Sequence, residues 1–131
     1  MDTTLNRINV VVLFVEDLER SKAFYGTTLG LTVMDEDPQS AIFKLDTVML
    51  MLLTNAAAQD LLSDEAVATQ RPAGARSQLV SFVDDVDAVY QELAAKGVEF
   101  IRTPVDRAWG MRTAHFRDPD GHVWELAQQL S

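Results

Sequence analysis

The sequence predicts an α+β fold built from two tandem copies of one βαβββ module. Residues Val15–Leu18 (Val-Glu-Asp-Leu) are matched 68 residues later by Val83–Val86 (Val-Asp-Asp-Val). In both copies an apolar strand pattern comes before this segment, and a helical pattern that ends at a glycine comes after it. Three further strand patterns follow each helix, so the order of the elements repeats as well as the residues.

Local chemistry accounts for each element of the first copy. Residues 8–15 are rich in β-branched side chains, which favour a buried strand. Asp17 is placed to cap the helix that follows, and Gly30 can adopt the left-handed conformation that ends it. Three strands are then predicted, at residues 31–35, 40–45 and 48–53.

The second copy follows the same plan. A strand leads into Asp85, which is placed to cap the second helix, and Gly97 ends that helix. Strands are predicted at residues 98–102, 112–117 and 122–127. The segment Asp118-Pro119-Asp120-Gly121 predicts a tight turn between the last two, because proline presets one φ and glycine permits a positive one.

We interpret residues 1–131 as one domain with three parts. Module one covers about residues 5–54, a linker covers about 55–76, and module two covers about 77–131. Within the linker, the pattern predicts a helix at 56–69, and the composition of 71–75 is typical of a loop.

Composition narrows the possible functions. The 131 residues include no cysteine, which excludes disulfides, thiolate metal ligands and cysteine nucleophiles. A net charge of −9 disfavours nucleic acid and anionic membranes, and favours neutral or cationic partners. The N-terminal residues lack the basic and apolar pattern of a secretory signal, and the most apolar run, 48–53, is too short to span a bilayer. We therefore expect a cytoplasmic protein.

Several segments, taken in order, resemble one known superfamily. They are Val15-Glu16-Asp17-Leu18-Glu19-Arg20-Ser21 with Phe24-Tyr25, Leu29-Gly30-Leu31, Phe82–Val86, Trp109-Gly110-Met111-Arg112 and Phe116–Leu126. Together they resemble the vicinal oxygen chelate superfamily of glyoxalase I, bleomycin-resistance proteins, extradiol dioxygenases and fosfomycin-resistance enzymes, with a pattern nearest to bleomycin-resistance-like members. The resemblance implies that the two modules form a curved, partly open, barrel-like sheet around a cavity.

The resemblance also implies where a metal would be held. The four ligand positions of metal-using members fall here on Val10, the Leu50–Met51 region, Gln78 and Glu125. Valine, leucine and methionine offer no hard donor for a divalent cation, and one glutamate with one glutamine falls short of the three protein ligands of a catalytic site. We therefore predict that no metal or other cofactor is bound.

Alternation along the strands gives candidate ligand-binding residues that face the implied cavity. They are Val12, Phe14, Phe43, Gln78, Phe82, Trp109, Arg112, His115 and Glu125. A flat apolar or cationic molecule is expected between Phe14, Phe82 and Trp109, with Glu125 and His115 at its polar end.

Four of these assignments have alternatives. His115 and Glu125 should meet across the Asp118–Gly121 turn, as a hydrogen-bonded pair (the favoured interpretation) or as a catalytic acid and base. Trp109 either covers the mouth of the pocket or anchors its loop. Arg112 either binds a ligand anion or, as we favour, pairs with Asp106 or Asp118.

Two functional hypotheses follow. The first is a metal-independent small-molecule-binding protein, for example one that sequesters an antibiotic of the bleomycin type. The second is a glyoxalase-like lyase or isomerase that uses Glu125 and His115, with or without a divalent metal. A role as a partner protein in antibiotic biosynthesis is a third possibility. We also predict a homodimer, with Trp124 and the 48–53 run supplying apolar surface.

Overall fold

The computed structural model describes residues 5–71 and 73–131. They form eight strands and three α-helices, the first of which continues as a π-helix. In chain order they are β1 (Val10–Val15), α1 (Leu18–Lys22) with the π-helix Ala23–Thr28, β2 (Thr32–Asp37), β3 (Ser40–Lys44), β4 (Met49–Thr54), α2 (Asn55–Leu61), β5 (Leu79–Phe82), α3 (Val86–Ala95), β6 (Glu99–Asp106), β7 (Met111–Arg117) and β8 (Val123–Gln129). The chain divides into two compact units, with the boundary between Thr69 and Gln70. We call the N-terminal part unit one and the C-terminal part unit two.

Each unit contains one open, four-stranded mixed sheet. The strand orders are β1-β4-β3-β2 in unit one and β5-β8-β7-β6 in unit two. The first strand of each unit pairs in parallel with the last, and the other pairs are antiparallel. The predicted α+β fold of two tandem βαβββ modules is therefore confirmed. The edge strands β2 and β6 even carry a register shift at equivalent places, after Val33 and after Phe100.

The predicted helix caps are present in both units. Asp17 accepts a hydrogen bond from the backbone N–H of Arg20 at 3.1 Å. Asp85 accepts one from Ala88, also at 3.1 Å. Gly30 has a φ of 78°, which supports its predicted place at the end of the first helix, where a left-handed conformation favours glycine.

The first helix differs from its prediction in kind. Only Leu18–Lys22 is α-helical, and Ala23–Thr28 is a π-helix whose wider turn is marked by the bond from the Leu29 N–H to the Phe24 carbonyl at 2.9 Å. Sequence periodicity does not separate the two forms over so short a segment. Gly26 lies in the π-helix, where the ring of Phe43 would approach an added Cβ to 3.5 Å.

The helix predicted at 56–69 is too long. In the structure α2 ends at Leu61, and the chain then turns at Ser63, whose hydroxyl accepts a hydrogen bond from the Ala66 N–H at 3.1 Å. Serine and aspartate at 63–64 compete with helical hydrogen bonds through their side chains, which explains the early end. Of the predicted loop 71–75, Pro72 lies outside the described residues. In the part of the chain that the structure describes, no helix is long and apolar enough to cross a membrane.

The core of unit one lies between its sheet and the first helix. Tyr25, Phe43, Leu50 and Leu52 are fully buried, and the Tyr25 and Phe43 ring centroids lie 6.3 Å apart. This burial corrects two expectations. Phe43 cannot reach a ligand because it packs under the helix, and the strand that starts at Met49 turns its leucines into the core of its own unit instead of offering them to a second chain.

The core of unit two contains a row of aromatic side chains between α3 and the sheet. The ring centroids of Tyr90 and Phe100 lie 4.7 Å apart in an edge-to-face contact, and those of Phe100 and Phe116 lie 5.6 Å apart with the rings tilted. The rings of Phe116 and Trp124 are stacked, with centroids 6.2 Å apart. Trp124 is 7% exposed. Trp124 therefore packs inside unit two and is too buried to supply the dimer surface expected of it.

The turn between β7 and β8 forms as predicted. Asp118, which is buried, accepts hydrogen bonds from the N–H groups of Asp120 at 3.0 Å and His122 at 2.8 Å. Gly121 has a φ of 91°. This turn fixes the register in which β7 and β8 place their side chains opposite one another.

Candidate functional site

One face of the unit-two sheet points away from α3 and collects the polar candidates. Residues directly opposite each other on paired strands share a face. Two neighbouring rows define this surface, which we call the His115 face: Val80, Glu125, His115 and Arg102, and beside them Phe82, Ala127, Thr113 and Val105. Sequence alternation correctly predicts that Phe82, His115 and Glu125 lie on one side of the sheet.

His115 and Glu125 form the predicted pair. Nε2 of His115 lies 2.9 Å from Oε1 of Glu125, and the side chains are only 16% and 18% exposed. When Glu125 is ionised it can only accept, and Nε2 then carries the hydrogen of this bond. The other ring nitrogen, Nδ1, is buried and has no hydrogen-bond partner among the described residues. Leaving a buried nitrogen without a partner costs free energy, so this atom is an unsatisfied feature of the structure.

Arg107 is held beside this pair by two contacts. Its Nε donates a hydrogen bond to the Thr113 hydroxyl at 3.0 Å, and Thr113 is only 1% exposed. Its guanidinium carbon lies 6.0 Å from the centroid of the Trp109 ring, within cation–π range. Among the described residues, no carboxylate forms an ion pair with Arg107. The guanidinium is therefore fixed in position while its charge remains uncompensated.

Trp109 lies in the tight loop between β6 and β7. The Gly110 N–H donates to the Arg107 carbonyl at 3.1 Å, and Gly110 has a φ of 84°, so this loop needs a glycine after the tryptophan. The Trp109 side chain is 70% exposed. Its ring contacts the Arg107 guanidinium and otherwise offers its surface to solvent.

A pocket of about 350 Å³ lies next to this loop, where β5 and β8 end and β7 begins. Its lining includes Phe82, Asp84, Met111 and Gln129. Phe82 is 81% exposed, which is unusual for a phenylalanine in a strand. The pocket thus combines one exposed aromatic ring with a few polar groups.

Arg112 takes part in a different structure. It lies on the α3 side of the sheet, where it pairs with Asp106 at 2.8 Å and with Asp87 of α3 at 3.0 Å. Hydrogen bonds to Asp106 and then Asp87 raise the pKa of this guanidinium. The predicted pairing with Asp106 is present, and Asp87 takes the place of Asp118. With both carboxylates engaged on this side, Arg112 is not part of the His115 face.

The remaining ligand candidates are placed as follows. Gln78 comes just before β5 and is exposed. Val12 and Phe14 are on β1 of unit one, on the side of the sheet away from Tyr25 and Phe43. Phe14 is half-buried against a small cluster of Leu53, Ala58 and Val67. Its predicted contact with a ligand stays a prediction.

The donor set at the family's ligand positions does not suit a divalent ion. In unit one, the residue equivalent to Glu125 by sheet register is Met51, which packs against the cluster around Ala58. Glu125 itself is bonded to His115. Within residues 5–71 and 73–131, no three histidine or acidic side chains are grouped so that they could hold a metal ion. The side chains at these positions therefore do not fit the metal centre that the family's metal-using members build there.

Two arginines of this region are not among the residues that the sequence pattern singles out. Arg102 lies on β6 and Arg107 directly follows it. The sequence pattern predicts that this strand ends at residue 102, but in the structure it continues to Asp106. Pro104 lies within this edge strand, where a missing N–H is tolerated, and it hides the continuation from the pattern. The signal that could identify Arg107 is its place two residues before Trp109 in the Arg-Ala-Trp-Gly loop.

Comparisons with known proteins agree with this architecture. A family model described as Glyoxalase/Bleomycin resistance protein/Dioxygenase superfamily matches residues 7–126. The uncharacterized protein YraH of Bacillus subtilis (strain 168) is 32% identical over 121 residues, which are 90% of this chain and 94% of YraH. A crystal structure of a glyoxalase/bleomycin resistance protein/dioxygenase from Nocardioides has 29% identity and a TM-score of 0.85, covering 98% of this chain and 88% of its own. The crystal structure of a glyoxalase-related enzyme from Fulvimarina pelagi has 26% identity and a TM-score of 0.80, and the match covers 95% of this chain and 89% of that enzyme.

Proposed function

The chain belongs to the Glyoxalase/Bleomycin resistance protein/Dioxygenase superfamily, and we propose that within it this protein is a metal-independent binding protein for a flat small molecule. The ligand lies on the His115 face, with its apolar part against Phe82 and Trp109. Its polar end contacts the His115–Glu125 pair. The proposed mode of action is sequestration in the cytoplasm, without chemical change to the ligand.

The observation that carries this proposal is the pair of exposed aromatic rings next to a small pocket. Phe82 and Trp109 are 81% and 70% exposed, although exposing large apolar groups forgoes the burial that stabilises a folded chain. An aromatic pair adds about 0.5–1.5 kcal/mol beyond area burial when a flat ring stacks on it. The same face provides a half-buried polar pair, the combination found in many small-molecule sites.

The unpartnered Nδ1 of His115 favours a second candidate, a lyase or isomerase of the glyoxalase type. A neutral His115 that donates from Nε2 to Glu125 keeps a lone pair at Nδ1. Such a nitrogen can take a proton from a ligand once the side chains that cover it move aside. Glu125 would orient the ring and stabilise the imidazolium. This candidate requires turnover, which sequestration does not.

Native mass spectrometry of the purified chain, mixed with a panel of flat aromatic compounds that includes bleomycin, tests the proposal. We expect binding that weakens at least fivefold in Phe82→Ala and in Trp109→Ala, while the unfolding midpoint stays within experimental error. Leu61→Ala is the matched control because Leu61 is also 70% exposed but belongs to α2 of unit one. The proposal is contradicted if affinity falls equally in all three variants, or if wild type binds none of the compounds.

Turnover separates the two candidates. If a bound compound is returned unchanged by wild type and by His115→Gln, the binding function stands. If wild type converts it and His115→Gln does not, the enzyme is the correct description.

The proposal includes a homodimer. Apolar side chains remain exposed on unit one, among them Val10, Val12 and Met34 at 39%, 39% and 54%. Pairing with a second copy would cover such surface. Light scattering at micromolar concentration is expected to give twice the chain mass of 14.6 kDa, and a monomer would refute this part.

A further inference from the structure

The negative charge of the protein is not shared evenly between its units. Of the charged residues, unit one holds four Lys or Arg and eleven Asp or Glu, whereas unit two holds seven and nine. At physiological salt, charges act over about 8 Å before screening. A ligand on unit two therefore experiences the charges of its own neighbourhood, and the net charge of −9 is a poor guide to what it prefers.

Two arginines on or beside the His115 face have no ion-pair partner among the described residues. Arg102 lies directly opposite His115 on the paired strand, and no ion pair involves it among the described residues. Arg107 is fixed to Thr113, two residues from His115 on the same strand, which is about 6.8 Å along it. Two guanidinium groups without carboxylate partners thus belong to the immediate surroundings of the histidine.

The acidic groups of this region differ in how far their charge is compensated. Glu99 accepts from Arg71 at 3.0 Å and from Arg117 at 3.2 Å, so two guanidinium groups offset its charge. Glu125 shares a hydrogen bond with His115 but keeps its negative charge when the ring is neutral. Asp84, in the pocket lining, also keeps its charge.

We propose that the ligand of this face is a flat organic acid, and that Arg107 is the residue that selects its carboxylate. This inference rests on the proposed function, and it reverses the preference for cations that the net charge suggests. The guanidinium is oriented by the Thr113 hydroxyl through Nε, which leaves both Nη groups to donate to a carboxylate. The ring of the ligand lies along Trp109, whose face already accommodates one cation and would stack poorly with a second.

The experiment compares ligands that differ only in charge. Benzene, naphthalene and anthracene are each used as the carboxylate, the neutral carboxamide and the aminomethyl cation. Calorimetric titration of the full-length chain at pH 7.5 measures their dissociation constants in 50 mM and 300 mM sodium chloride. The variants are Arg107→Gln, Arg107→Lys and, as a matched control, Arg76→Gln, which removes an exposed arginine of unit two that has no described partner.

We expect at least one carboxylate to bind about tenfold more tightly than its carboxamide, and the cation to bind weakest. Arg107→Gln should abolish the preference without weakening the carboxamide, Arg107→Lys should restore part of it, and Arg76→Gln should leave it unchanged. Higher salt should weaken only the carboxylates.

Other outcomes separate this inference from the proposed function. Equal affinity of carboxylate and carboxamide overturns the inference and leaves small-molecule binding intact. Tightest binding of the cation, lost in Asp84→Asn, also overturns it. Absence of binding by all nine compounds overturns both.

Discussion

Replacing the His115–Glu125 pair tests whether its two side chains stabilise each other in the folded protein. Glu125→Ala leaves both ring nitrogens of a largely buried histidine without a partner. An unsatisfied buried polar group costs about 1–3 kcal/mol, and a hydrogen bond to a charged group contributes about 1.5–3 kcal/mol. Because the side chains keep 16% and 18% of their exposure, water can replace part of the bond. We therefore expect a coupling energy near the lower limit, about 1–2 kcal/mol.

A double-mutant cycle measures this coupling. Urea unfolding at pH 7 is followed by circular dichroism for wild type, His115→Ala, Glu125→Ala and the double variant. The dependence of the free energy of unfolding on urea concentration is compared across the four proteins. The exposed pair Glu92–Lys96, whose charged atoms lie 3.5 Å apart one helical turn from each other, is the control cycle. Its coupling should be about 0.3–0.5 kcal/mol.

Two results would refute the reasoning. A His115–Glu125 coupling no larger than that of the exposed pair would mean that the bond makes no net contribution to folding. A double variant less stable than the sum of the single changes would mean that the two side chains oppose each other in wild type. Either result would favour a strained, functional arrangement over a stabilising pair.

Three further predictions concern unit two, each measured by urea unfolding. Hydrogen bonds from Arg71 and then Arg117 lower the pKa of Glu99, so the stability they add is present above the ordinary carboxyl pKa and is lost as the pH falls through the lowered one. Glu99→Gln should thus destabilise by less than about 1 kcal/mol at pH 7, and a difference that persists in acid would contradict the assignment. Phe116→Ala should cost about 3–5 kcal/mol because Phe116 is 1% exposed, and a loss below 1 kcal/mol would argue against the aromatic stack. Gly121→Ala should cost about 1–2 kcal/mol, since φ is 91° there, and an unchanged midpoint would show that the turn relaxes.

The fold could be predicted because its signals are local and repeated. Asp17 and Asp85 cap the N-termini of two helices, and a glycine follows each aspartate after a short and similar number of residues, where the helix ends. Alternation on β7 and β8 places His115 opposite Glu125, because the Asp118–Gly121 turn allows one register for the two strands. Features of this kind depend on a few neighbouring residues and are visible without any structure.

Phe43, which the sequence pattern places wrongly, and Arg107, which it misses, depend on contacts between distant parts of the chain. Phe43 alternates with its neighbours in the way a cavity-facing residue would, and only the position of the first helix decides which side of β3 is covered. Arg107 is inconspicuous in the sequence because the feature that distinguishes it is the lack of an acidic partner among the described residues, although Asp106 is its neighbour in sequence. The Asp106 carboxylate accepts a hydrogen bond from Arg112 instead. The sequence alone does not show which of the two arginines it contacts.

Equivalent rows of the two sheets differ in a way that supports the proposed site on unit two. The rows have the same register, yet they differ in chemistry: Val12, Met51, Ile42 and Asp35 in unit one, and Val80, Glu125, His115 and Arg102 in unit two. In unit one, Met51 packs with the cluster that includes Ala58 of α2, so an ionised group at that place would lose its hydration without a partner. In unit two the same place holds a carboxylate, and it has a partner in the histidine beside it. One copy of the module thus uses this row for packing, and the other keeps on it the polar side chains that a ligand could bind.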